Sequence, residues 1–113
     1  VTPRDALESL FTAWRAGDAL RSAAHFASDA TYREARGTAI EGRDAIAAHF
    51  TRFFRDGPHW RFEVDEVLVE GDRAAVRYRF SIEGPPGTWR EKEGCAFAEF
   101  RDGTLAQWRE YEA

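Results

Sequence analysis

The sequence predicts an α+β fold, with three helices early in the chain and a run of antiparallel strands late. Two changes of period predict it. Apolar residues recur at three- and four-residue steps at Leu7, Leu10, Phe11 and Trp14, and again at Ile46, Phe50, Phe53 and Phe54; that spacing marks amphipathic helices. After Gly57-Pro58 the period falls to two, as in Val76, Tyr78, Phe80 and Ile82, which marks strands. The length of 113 residues suits one domain over 1–113 built on one core.

Each element has its own start and stop signals. Thr2 can cap the first helix, Pro3 suits its first turn and Asp5 stands at the third helical position. Gly17 ends it, and Asp18 caps a second, shorter helix carrying Leu20, Ala23, Ala24 and Ala27. A strand follows over about 29–36. Gly37 and Gly42 bound a turn, and Glu41-Gly42-Arg43-Asp44 leads into the third helix. The remaining chain reads as strands over 60–70, 73–83, 89–101 and 104–112, separated by Gly71-Asp72, Gly84-Pro85-Pro86-Gly87 and Asp102-Gly103. The order is α-α-β-α-β-β-β-β. Long, strongly twisted strands can curl around the helices and leave a cavity between the two layers.

Composition excludes several classes of function. The net charge is −4, with both signs mixed throughout, whereas nucleic acid calls for a basic stripe. No apolar run approaches the roughly 20 residues that span a bilayer. Cys95 is the single cysteine, so it reads as a small buried hydrophobe in a cytoplasmic protein. His25, His49 and His59 are far apart and lack a metal-ligand spacing; His25 and His49 read as hydrogen-bonded helix histidines, His59 as exposed. There is no phosphate loop, dinucleotide fingerprint or nucleophile elbow, so no metal and no cofactor are expected.

The chemistry lies in polar residues set among aromatics. On the last strand Trp108 and Glu110 share one face, because side chains alternate. Tyr32 and Glu34 share a face on the first strand, and Arg77 and Arg79 share one on the middle strand. If these faces converge they enclose two carboxylates, two guanidiniums and a phenol. A carboxyl group held against an indole is desolvated, which raises its pKa toward the range useful for proton transfer. Tyr32 can donate to a developing oxyanion, and Arg77 can orient a substrate. Alternation leaves two arrangements of the middle strand open. Burial of Val76, Tyr78, Phe80 and Ile82 against the helices turns the arginines outward; burial of that face by a second subunit turns them into the cavity. The geometric expectation is the second, with Arg77, Arg79 and Glu110 facing one another.

The segments Phe26-Ala27-Ser28-Asp29-Ala30-Thr31-Tyr32, Glu41-Gly42-Arg43-Asp44-Ala45-Ile46 and Phe100-Arg101-Asp102-Gly103, with Trp14 in the first helix, resemble the nuclear-transport-factor-2-like superfamily, and within it the SnoaL-like domains of polyketide-cyclase type. That resemblance implies a cone-shaped curved sheet packed on three helices, often as a homodimer. Its members include isomerases, cyclases, dehydratases, epoxide hydrolases and binding domains, so fold alone does not choose among them. Trp108-Arg109-Glu110-Tyr111 is also similar to the closing strand of limonene-epoxide hydrolases. By that similarity Tyr32, Arg77 and Glu110 stand at the tyrosine, arginine and last-strand acid of those enzymes. Glu34 stands where they have asparagine and Arg79 where they have a middle aspartate, which puts their proton relay in doubt.

The combined expectation is a small-molecule pocket protein, a cofactor-free acid–base enzyme of isomerase, cyclase or hydrolase type acting on a small carbonyl or epoxide compound. Glu110, Tyr32 and Arg77 would be catalytic. Glu34, Arg79, Trp108, Trp14, Phe26, Phe50 and Phe53 would bind substrate. The alternative is a non-catalytic ligand-binding or dimerisation module in which the carboxylates neutralise the arginines.

Overall fold

The computed structural model describes residues 1–113. Helix α1 (Pro3–Arg15) starts on a reciprocal cap: Asp5 N–H donates to Thr2 Oγ1 at 3.1 Å and Thr2 N–H to Asp5 Oδ2 at 3.4 Å. It buries Leu7, Leu10, Phe11, Ala13 and Trp14. The turn to α2 (Ala19–Ala23) uses Gly17 at φ +67°, a backbone that glycine adopts without a Cβ clash. Asp18 caps α2 through Arg21 N–H. The helix is shorter than its apolar residues suggest, and Leu20 is left exposed. Strand β1 (Phe26–Arg33) therefore starts about three residues before the expected position. A two-residue strand β2 (Ile40–Glu41) precedes α3 (Arg43–Asp56), which buries Ile46 and Phe50.

The four remaining strands have the spans expected from their turn residues: β3 (Trp60–Glu70), β4 (Arg73–Glu83), β5 (Trp89–Arg101) and β6 (Thr104–Glu112). The six strands form one curved sheet in the order β2-β1-β6-β5-β4-β3. One pairing corrects the all-antiparallel expectation: β1 runs parallel to β6, with Tyr32 opposite Trp108. The sheet is mixed because the intervening helix and four strands return the chain in the same direction alongside β1. Register shifts mark bulges at Asp65 in β3 and at Ala106 in β6, opposite Glu99/Phe100, which bend and twist the sheet around the helices.

The core fills the concave side. Val76, Tyr78, Ala96, Ala98 and Trp108 from the sheet meet Leu7, Leu10, Phe11, Trp14, Ile46 and Phe50 from the helices. Trp14 lies edge-on to Trp108, Phe62 and Phe50, at centroid distances of 5.2, 5.5 and 5.9 Å. Edge-to-face packing of this kind suits the ring quadrupoles.

Burial therefore takes Val76 and Tyr78 to the concave side and Arg77 and Arg79 to the convex side. This overturns the expectation that the arginines face the cavity. Arg77 is exposed and pairs with Glu66 across the strands at 3.4 Å. Arg79 is held by Asp65 at 3.0 Å, Glu63 at 2.9 Å and Glu91 at 3.7 Å. Turning β4 over would bury two guanidiniums and expose its apolar set, and an unpaired buried charge costs several kcal/mol. Simple binary patterning prevails.

Candidate active site

The aromatic core does not close completely. Between α1, α3 and the concave face a cavity of about 260 Å³ remains, lined by 16 residues. Trp14, Phe50 and Phe53 line it as expected, together with Phe54, Trp60, Phe62, Phe80 and Ile82. Phe26 and Trp108 do not reach it. Both are fully buried behind the wall, Phe26 against Tyr32 and Phe50. Arg77 and Arg79 are absent from the lining, and Lys92 is its only lysine or arginine.

The polar end of the cavity is built by β1, α3, β4 and the closing strand. Tyr32 is buried and donates its hydroxyl to Glu34 Oε2 at 3.2 Å. His49 Nε2 meets the same oxygen at 3.1 Å. Glu110 projects inward from β6, and Trp108, two residues earlier on the same face, donates its indole N–H to Glu110 Oε2 at 2.8 Å. Glu112 follows on that face, accepts the Tyr78 hydroxyl at 3.2 Å and lies 3.9 Å from Lys92 Nζ. Tyr32, Glu34 and Glu110 thus converge as the sequence suggests. No arginine joins them: His49 partners Glu34, Lys92 lies beside Glu112, and Glu110 has no basic partner.

Electrostatics separate the carboxyl groups. Burial pushes Glu110 up to about 7 from an ordinary 4.5. The indole N–H opposes that shift by stabilising the anion, while the charges of Glu34 and Glu112 reinforce it. Burial also acts to raise Glu34, but the hydrogen bond and charge of His49, with the Tyr32 hydroxyl, overcome it and leave Glu34 below its ordinary value. Both phenols are pushed above their ordinary value, by burial first and by the carboxylates second. They remain hydrogen-bond donors at neutral pH. One carboxyl group poised near neutrality, beside a second that stays ionised and two phenols, is the separation of roles that acid–base chemistry uses.

Four contributors escape the sequence reading. Tyr78, Glu112 and Lys92 lie on the inward faces of their strands, where alternation with Val76, Glu110 and Gly94 could have found them. His49 follows Ile46 by three residues and precedes Phe53 by four, so helical periodicity puts it on the buried side of α3. Gly94 is a fifth. It sits opposite both Tyr78 and Glu112, and a Cβ there would lie 2.5 Å from the Tyr78 hydroxyl and 2.8 Å from the Tyr111 carbonyl. A glycine inside a strand signals such a close approach: the phenol of Tyr78 crosses over Gly94 to reach Glu112 one strand away.

A half-open cone of six strands on three helices, with a polar-ended aromatic pocket, defines an NTF2-like fold. The family model described as "SnoaL-like domain" matches residues 7–108, and the chain belongs to that family. No curated protein matches it in sequence. Among solved structures it is similar to an NTF2-like protein of unknown function from Burkholderia xenovorans, at 28% identity and a TM-score of 0.77, over 97% of this chain and 81% of that one. A limonene-epoxide-hydrolase-like epoxide hydrolase from Mycobacterium tuberculosis matches at 18% identity and a TM-score of 0.84, over 96% and 80% of the two chains. A hypothetical protein with a ketosteroid isomerase-like fold from Catenulispora acidiphila, solved in complex with trimethylamine, matches at 21% identity and a TM-score of 0.83, over 98% and 86%. At these last two identities the likeness is one of fold.

Proposed function

We infer that this protein is a cofactor-free acid–base enzyme of isomerase, cyclase or hydrolase type, acting on a small carbonyl or epoxide compound held in the aromatic cavity. The single observation that carries this reading is the place of Glu110, a carboxyl group inside the pocket beside the Trp108 indole; burial there pushes it up to about 7, toward the range in which both forms are present at working pH. Ionised, Glu110 removes a proton from the carbon next to a carbonyl. Protonated, it returns that proton elsewhere on the enolate or delivers one to an epoxide oxygen. The Tyr32 hydroxyl turns from Glu34 to the developing oxyanion, and Tyr78 is the second donor. Glu34, held ionised by His49, receives the Tyr32 hydroxyl again when the product leaves. Arg77 has no part in these steps, since it lies on the far side of the sheet.

Exchange of α-protons on small cyclic ketones in D2O, followed by NMR, tests the reading without a known substrate. The wild type catalyses exchange with at least one ketone of the panel, and Glu110→Gln lowers the rate by ~10²-fold or more. Equal rates for the two proteins would dispose of the acid–base role and leave a non-catalytic binding module.

The same reading takes the protein as a cytoplasmic homodimer. Cys95 is free, which suits a reducing compartment. Phe97 and Tyr111 are exposed together on the convex face, with rings 5.9 Å apart, as an apolar patch that a second subunit would cover. Sedimentation as a monomer at micromolar concentration contradicts the dimer.

A further inference from the structure

The cavity carries an imbalance that a neutral substrate does not resolve. Three carboxylates reach it, those of Glu34, Glu110 and Glu112. Of the 16 lysines and arginines in the chain, only Lys92 does. Its Nζ stands 3.9 Å from Glu112 and its side chain is 53% exposed, so it serves the rim and leaves Glu110 inside without a cation. The donors near Glu110 are neutral, the Trp108 indole at 2.8 Å and the Tyr78 phenol. Nine of the 16 lining residues are Phe, Tyr or Trp. An aromatic wall with carboxylates at one end has the chemistry that binds an organic ammonium: aromatic rings attract a cation through their quadrupoles, and the carboxylates neutralise it. An anion would be repelled by the acids, and both phenols already donate to carboxylates.

The geometry points to a substrate of a particular class: a small carbonyl or epoxide compound bearing an ammonium group, whose charged head lies between the aromatic walls and Glu34, Glu110 and Glu112. This rests on the cavity being the substrate site, as proposed above. It has a thermodynamic signature. A cation beside Glu110 favours its ionised form, so binding expels a proton from the fraction of molecules in which Glu110 is protonated. Affinity then rises with pH through the neutral range. The groups facing Glu110 from the other elements are Tyr32 and Glu34 of β1 and its end, His49 of α3, Tyr78 of β4, Lys92 of β5 and Glu112 on its own strand. The assignment to Glu110 therefore needs its own variant.

Choline and its neutral carbon isostere 3,3-dimethylbutan-1-ol are the probes, because the quaternary charge is fixed at every pH. Calorimetry on the full chain at pH 5.5, 7 and 8 reads affinity, and repetition in buffers of different ionisation heat reads protons released. Choline is expected to bind at least ~10-fold more tightly than the alcohol at pH 8, a difference of about 1.4 kcal/mol. It should weaken towards pH 5.5 and release a fraction of a proton near pH 7. Glu110→Gln should flatten the pH dependence, and Trp60→Leu, at the pocket wall, should weaken choline more than the alcohol. Equal binding of the two probes, binding of the alcohol alone, or no binding of choline at millimolar concentration would overturn the inference. Ketone exchange is read separately: exchange that depends on Glu110 without choline binding leaves the acid–base reading intact and removes only the ammonium class.

Discussion

Glu110 holds two opposed roles. Its burial destabilises the anion, and the Trp108 N–H at 2.8 Å restores part of that stability. The balance has a consequence for folding. Between an unfolded value near 4.5 and a folded value of about 7, the native state holds a proton that the unfolded state has lost. Stability therefore falls as pH rises through that window, and the loss is complete above 7. A shift of that size corresponds to about 3 kcal/mol. Glu34 lies below its ordinary value, so its contribution is lost only at more acid pH and does not mask the window. Urea unfolding at pH 5 and pH 8 measures the effect: the wild type is less stable at pH 8 by up to about 3 kcal/mol. Glu110→Gln, neutral at both, narrows the gap and is the more stable protein at pH 8. Equal pH dependence in the two proteins would contradict the assignment. Lower stability in the functional form is the trade that active sites commonly make. The sequence carried the outline of this site, because Glu110 beside Trp108 and Tyr32 beside Glu34 follow from strand alternation alone. It could not carry the sign of the indole's effect. Whether a tryptophan desolvates a carboxyl group or hydrogen-bonds it depends on where one N–H points.

Strand β4 shows how alternation both informs and misleads. Two faces were available, one apolar and one with Arg77 and Arg79, and the apolar face turned inward because helices cover only the concave side. The likeness to epoxide hydrolases placed Arg77 in the cavity by position along the chain. The acidic residues that bind the arginines are Glu63, Asp65 and Glu66 on β3 and Glu91 on β5; Glu66 joins Glu63 on the outer face only through the bulge between Val64 and Glu66, which alternation does not record. The same strand carries Tyr78 inward over Gly94. Adding one methyl group there forces the phenol or the Tyr111 backbone to shift. Gly94→Ala is expected to break the Tyr78–Glu112 hydrogen bond and to destabilise the protein by about 1–3 kcal/mol, with weaker ketone exchange than the wild type. A variant with unchanged stability and activity would show that the phenol's path across β5 is not needed.

At the scale of the whole molecule, turn residues located the elements with good accuracy. Gly71-Asp72, Gly84-Pro85-Pro86-Gly87 and Asp102-Gly103 bound the last four strands where the structure has them. The parallel pairing of β1 with β6 was not legible, since it joins residues some 76 positions apart, as Tyr32 and Trp108 show, and no local signal records a partner so distant. That pairing matters for the site, because it brings the first strand's Tyr32 beside the last strand's Glu110. The incomplete closure of the core was likewise hidden: the same Phe and Trp residues serve as packing and as pocket wall. The fold thus joins a charged, ion-paired exterior to an aromatic hollow in which burial pushes one carboxyl group, Glu110, up toward neutrality. Carbon-13 NMR of the glutamate side chains, with Glu110 assigned by its loss in Glu110→Gln, measures that group directly. A midpoint near 7 for Glu110, with Glu34 ionised throughout the same range, is the predicted result; a Glu110 midpoint at the ordinary 4.5 would contradict it.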